Sequence, residues 1–149
     1  MTVIILHTEI QTTTEKAFQL SLDIDFHKKT ASQTQEEAIA GITSGIIKYN
    51  ETVTWRGKHF GVFLTHTSQI TAYEAPTYFV DEMIKGNFKS FRHQHFFEQK
   101  ENTVHMKDII TYSTPYGIFG KLFDSLLLKK HLTDFIKNRN QTLKTALEK

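Results

Sequence analysis

The period of the apolar residues changes once in this chain, near Pro115 and Gly117, and that change limits what it can fold into. From Glu51 to Ser113 the residues alternate as they do on strands, with Val, Ile, Thr and aromatics in excess. From Ile118 to about Leu147 they recur at helical spacing. Phe119, Leu122, Phe123, Leu126 and Leu127 form one stripe, which Phe135, Ile136, Leu143 and Leu147 continue. Lys129, Lys130, His131, Lys137, Arg139 and Lys144 make the opposite side basic, as expected of a solvated face. A helix of about thirty residues spans on the order of 45 Å, longer than a typical strand. It must lie across the sheet to hide its stripe. Yet a helix is only about 10 Å wide and cannot fill the concavity of a twisted sheet of about seven strands. Large side chains must fill the remaining space, or it stays open as a pocket.

The other elements follow from local signals. Thr2 to Ile10 reads as a strand, and Thr12-Thr13-Thr14-Glu15 as the cap of a short helix through Leu20. Asp23 to Gln35 reads as a short helix or ordered loop, and the stretch after Glu36 as a strand ending near Thr43-Ser44-Gly45. Thr52–Arg56, punctuated by Gly57 and Gly61, then Val62–Tyr73, Tyr78–Ile84, Phe88–Gln99 and Thr103–Ser113 are strands, with short turns at Glu74-Ala75-Pro76 and Gly86-Asn87. Short connections imply an antiparallel meander. The expected fold class is α+β in a single domain, residues 1–149.

The last hairpin carries the chemistry. Phe91, His93, His95 and Phe97 share one face of its first arm; Val104, Met106, Asp108 and Ile110 share one face of the second. A turn over Gln99–Asn102 would set Phe97 opposite Val104, His95 opposite Met106 and His93 opposite Asp108. Two imidazoles and a carboxylate then sit among apolar neighbours, where ionisable groups are costly unless paired. Asp81 is in phase with Phe79 and Met83. It faces inward if they do, within reach of His66, or else it is a rim acid in water, the reading preferred here.

Composition narrows the function classes. Twelve phenylalanines against one tryptophan favour a deep apolar interior or a greasy cavity, since phenylalanine has no polar atom to satisfy. A net charge of +2 is too small to argue for nucleic acid. Without cysteine there are neither disulfides nor thiolate metal sites, which fits a reducing cytoplasm. The first residues do not read as a signal peptide, and Ile118–Leu128 is too short and too charged to span a bilayer. A cytoplasmic protein is expected.

Several residues together resemble the SRPBCC superfamily of START-like, helix-grip proteins, and more narrowly its bacterial polyketide cyclase/dehydrase-like branch. They are Val53-Thr54-Trp55, His59-Phe60-Gly61, the alternating Phe79, Asp81 and Met83, then Gly86, Phe88, Phe91, His93, His95 and Phe97, and finally Met106, Asp108, Tyr112, Pro115 and Gly117. They run over nearly the whole chain. Members often carry tryptophan where this chain has Phe91, a swap that keeps an aromatic. The resemblance implies a seven-stranded sheet wrapped around a long C-terminal helix, with a hydrophobic cavity between them open at one end. Members bind lipids, sterols, polyketides or plant hormones, and some catalyse cyclisation.

The expected function is therefore binding of an apolar small molecule or lipid. Met83, Phe91, Phe97, Met106, Ile110 and Tyr112 would line the cavity with Asp81. His93, His95 and Asp108 would supply polar contacts, and Leu122, Phe123 and Leu126 would close it from the helix. A structural reading of the polar cluster, with Asp108 fixing His93, is compatible with this. An alternative makes the protein a cyclase with His93 as general base poised by Asp108. Another makes it a scaffold, with a filled interior and an exposed apolar patch. A facial metal set of His93, His95 and Asp108 has workable geometry, but no third histidine is tied to it, and no metal or cofactor is expected.

Overall fold

The computed structural model describes residues 1–149. Seven antiparallel strands form one sheet in the order β1-β7-β6-β5-β4-β3-β2. They are β1 (Thr2–Ile10), β2 (Glu37–Gly41), β3 (Thr52–His59), β4 (Val62–Glu74), β5 (Tyr78–Lys85), β6 (Ser90–Lys100) and β7 (Thr103–Ser113). β3 to β7 form the meander that short connections require. β1 returns to pair with β7, so the ends of the strand order are the first two strands in sequence. No helix is long and apolar enough to cross a membrane.

Two short helices join β1 to β2. Thr13 caps α1 (Thr14–Ser21), its side chain accepting from the Lys16 amide, and Asp23 caps α2 (Ile24–Thr30) by accepting from the Phe26 amide at 3.1 Å. The segment from Asp23 to Gln35 is thus a helix followed by a tight turn at Ser32–Thr34. The C-terminal helix runs over 117–147 as α3 (Gly117–Phe123), a π-helical turn at Asp124–Leu128, and α4 (Lys129–Leu147).

The hairpin register differs from the sequence expectation by two residues. Lys100 pairs with Thr103, so the turn is only Glu101-Asn102. Glu101 takes a φ of +57°, the left-handed geometry that two-residue hairpin turns use. Phe97 therefore faces Met106, His95 faces Asp108, and His93 faces Ile110. A shift of two preserves which face each side chain occupies, so the inner face survives while its pairs change.

The phase of the C-terminal helix also differs. Gly120, Asp124, Leu128 and Ile136 point inward, whereas Phe119, Leu122 and Leu126 are 78%, 57% and 67% exposed. Asp124 sets this phase, because it accepts hydrogen bonds from the hydroxyls of Tyr112 and Thr2 on the sheet. Gly120 fits because any side chain there would strike the carbonyl of Pro115. Leu122 and Leu126 consequently lie on the outer side of the helix.

The buried interior has two apolar halves. One gathers Phe18, Trp55, Phe79, Phe97, Met106 and Leu143, with Phe18 edge-on to Phe79 and Phe97 at 5.5 and 5.6 Å. The other gathers Ile4, Ile110, Tyr112, Leu128 and Ile136. On β7 the buried residue between Met106 and Ile110 is Asp108. A belt of polar side chains thus runs between the two halves.

Candidate functional site

The belt is built by alternation on β5, β6 and β7 and by the inner face of α4. Asp108 is fully buried. Its Oδ1 accepts from His93 Nε2 at 2.7 Å and from Arg139 Nη2 at 3.1 Å; its Oδ2 accepts from Asn140 Nδ2 at 2.8 Å. Burial alone would raise this carboxyl, but the Arg139 guanidinium and the His93 hydrogen bond outweigh it and hold it well below the usual carboxylate range. His95, 1% exposed, donates from Nε2 to Asp81 Oδ2 at 2.7 Å. Burial and the neighbouring His93 push His95 down to about 4, so it is neutral at pH 7. Its ring stacks between His93 at 3.7 Å and Phe79 at 4.0 Å.

Asp81 is an inward residue, not a rim acid in bulk water. It lies opposite His93 in the β5–β6 ladder and bonds His95, not His66. Its burial is outweighed by the His95 hydrogen bond and the neighbouring His93 imidazole, so its carboxyl also lies well below the usual range. A quarter of its side chain is exposed, and that surface belongs to the wall of a cavity.

The cavity has a volume of about 610 Å³ and lies between the concave sheet and the C-terminal helix. Asp81, Phe91, His93, His95 and Phe123 line it. The other residues expected to line or close it do not. Phe97, Met106, Ile110 and Tyr112 are buried in the two core halves, and Asp108 sits behind His93 and Arg139. Met83 is half-buried against Gly86, outside the lining, and Leu122 and Leu126 face away. The cavity opens where its lining meets solvent, between the β3–β4 hairpin at Phe60 and Val62 and the helix start at Tyr116 and Phe119.

Several wall residues were not assigned to the cavity from the sequence. Trp55, Ile70 and Phe79 come from the sheet, and Leu132, Phe135 and Ile136 from the helix. His27 on α2 tilts against Trp55 at 4.3 Å; burial, with the Arg139 charge, pushes it down to about 4. His66 is likewise lowered, chiefly by burial. Arg139 belongs to the interior, not to the basic outer face. The signal was available: Leu132, Ile136, Arg139 and Leu143 recur at the spacing of one helix face, so the arginine is in phase with the buried residues.

The likeness to known proteins lies in the fold. No protein-family model matches the sequence, and no curated protein matches it. Solved structures do superpose. A protein from Thermus thermophilus matches with a TM-score of 0.76 at 15% identity, over 97% of this chain and 99% of that one. A major latex-like protein from Panax ginseng gives 0.72 at 14% identity, over 98% and 97%. A START superfamily protein from Mycobacterium smegmatis gives 0.73 at 9% identity, over 98% and 97%. A seven-stranded antiparallel sheet curved around a long C-terminal helix, superposing end to end on such structures, means that this chain has the START-like, helix-grip fold.

Proposed function

We propose that the protein binds a mainly apolar small molecule or lipid in the cavity between sheet and helix. The observation that carries this is the cavity itself. About 610 Å³ lies within the range of pockets that enclose small organic ligands. Its exposed wall is largely aromatic and aliphatic, and Asp81, His93 and His95 are among its polar residues. A ligand would lay its apolar body against Trp55, Ile70, Phe79, Phe91, Phe123 and Phe135, and turn its polar end to Asp81 and His93. The space also argues against a scaffold with a filled interior, since tightly packed cores leave few voids larger than a water.

Native mass spectrometry of the purified protein, followed by solvent extraction, tests the proposal. The expected result is a retained small molecule, or saturable one-to-one binding of a fluorescent fatty acid probe. A protein that carries nothing and binds no apolar probe would overturn it.

A second reading, a cyclase-type enzyme, is favoured by one contact. His93 donates Nε2–H to Asp108, which leaves Nδ1 with a free lone pair on the cavity wall. His93→Gln should then abolish turnover of a bound polyketone while leaving its affinity within a few-fold. Unchanged turnover would remove this reading.

A further inference from the structure

His95 Nδ1 is the one buried side-chain nitrogen or oxygen without a hydrogen-bond partner. Its surroundings explain why. Nε2 of the same ring is 2.7 Å from Asp81 Oδ2, and a carboxylate can only accept, so Nε2 carries the ring hydrogen. A neutral imidazole has one such hydrogen, and Nδ1 is bare. The atom that Nδ1 faces is Asp108 Oδ1 at 3.5 Å, another acceptor. Moving the hydrogen to Nδ1 would give Asp108 a donor. It would also set the Nε2 lone pair against the Asp81 carboxylate, unless a cation lay between them.

His93 is oriented in the same sense. Its Nε2–H donates to Asp108 Oδ1, and its Nδ1 faces Asp81 Oδ2 at 3.9 Å. Nitrogen atoms of both rings and an oxygen of Asp81 all lie within 4.8 Å of one another. Ligands bound at about 2.0–2.2 Å sit roughly 3–3.5 Å apart around one ion. The two Asp81 distances, 2.7 Å to His95 and 3.9 Å to His93, bracket that separation. Behind the rings, Asp108 would then serve both imidazoles from one carboxylate, the outer support that metal-bound histidines usually have. The belt also holds two carboxylates, Asp81 and Asp108, against the single guanidinium of Arg139.

We infer that Asp81, His93 and His95 form a binding site for a divalent transition-metal ion of the Zn²⁺ or Fe²⁺ type. Two imidazoles and one carboxylate suit such ions better than Mg²⁺ or Ca²⁺, which take oxygen ligands. All three ligands come from the sheet side, so the remaining coordination positions open onto the cavity. Loading moves the His95 hydrogen from Nε2 to Nδ1, where it donates to Asp108 and satisfies the orphaned atom. The ring stays neutral throughout. The site does not depend on an apolar ligand, so the metal alone is the probe.

Zn²⁺ added to the purified full chain tests this by two readouts. Calorimetry should show one site with a Kd in the micromolar range or tighter at pH 7.5. Long-range ¹H–¹⁵N correlation spectra should show the His95 hydrogen leaving Nε2 for Nδ1 on loading. Asp81→Asn and His93→Gln should each weaken binding at least 100-fold, and Asp108→Asn by 10- to 100-fold. His131→Ala, which breaks the separate His59–His131 contact of 2.9 Å, should keep the affinity within twofold. The inference fails if the His95 tautomer is unchanged at saturating Zn²⁺, or if only His59 and His131 respond. It also fails if binding survives both Asp81→Asn and His93→Gln. Should those variants not fold, the spectrum of the unaltered chain decides alone.

Discussion

His93 and Asp108 are joined at 2.7 Å although they are not opposite each other in the ladder. The residue opposite Asp108 is His95, whose Nε2 instead bonds Asp81, on β5 at the other side of β6. The two carboxylates are thus shared diagonally between two stacked imidazoles. The cluster ties β5, β6 and β7 together, and Arg139 and Asn140 tie it to α4. It holds the helix on the sheet at the level where the apolar core is interrupted.

Removing the hub should be costly. Asp108→Ala leaves Arg139 as a buried charge without its partner, and losing one member of a buried pair costs about 3–5 kcal/mol. Guanidinium chloride unfolding should show a loss of that size. A loss below about 1 kcal/mol would mean that the belt contributes little to docking α4.

Stability should fall as pH drops from about 6.5 to 4. His95 is held near 4 in the folded chain against 6.5 unfolded, so below 6.5 the unfolded state binds the proton that the folded state refuses. The stability linked to this ring is whole above pH 6.5 and is lost progressively down to about 4. For His95 it is on the order of 3 kcal/mol, and His27 acts in the same direction. Below that range the lowered carboxyls of Asp81 and Asp108 add to the loss as they are protonated. Unfolding midpoints measured between pH 7.5 and 4 check this; a flat profile contradicts it.

Tyr112→Phe tests how the C-terminal helix is phased. The hydroxyl donates to buried Asp124, and burial together with that hydrogen bond pushes the phenol above its ordinary value. Deleting it leaves Asp124 with Thr2 alone and should cost about 1–3 kcal/mol. Hydrogen exchange at 117–128 should rise more than in α4. Equal changes along the whole helix would show that Asp124 is not the anchor.

Leu132→Trp should fill the cavity from the helix side. Because space is available, the unfolding temperature should stay within a few degrees while affinity for an apolar probe drops at least tenfold. Unaltered probe binding would place the ligand elsewhere.

Much of the architecture was legible in local periodicity. Alternation on β6 and β7 assigned His93, His95 and Asp108 to the inner face, and the change of period after Pro115 marked the helix. A strand must alternate and a helix must repeat near 3.6 residues, so these assignments need no tertiary information. Alternation also placed Asp81 with Phe79, though it left open whether that face was buried. Arg139 was misread because its charge outweighed its phase.

What the sequence alone determined is which side of each element is apolar and where elements begin and end, since both follow from backbone geometry within a few residues. The fold as a whole decided the two-residue register of the last hairpin, the rotation of the C-terminal helix about Asp124, and the partners of each imidazole. Those depend on contacts between groups far apart along the chain, such as Thr2 with Asp124 or Asp108 with Arg139. Their energies arise only once sheet and helix are docked, and no local pattern encodes them.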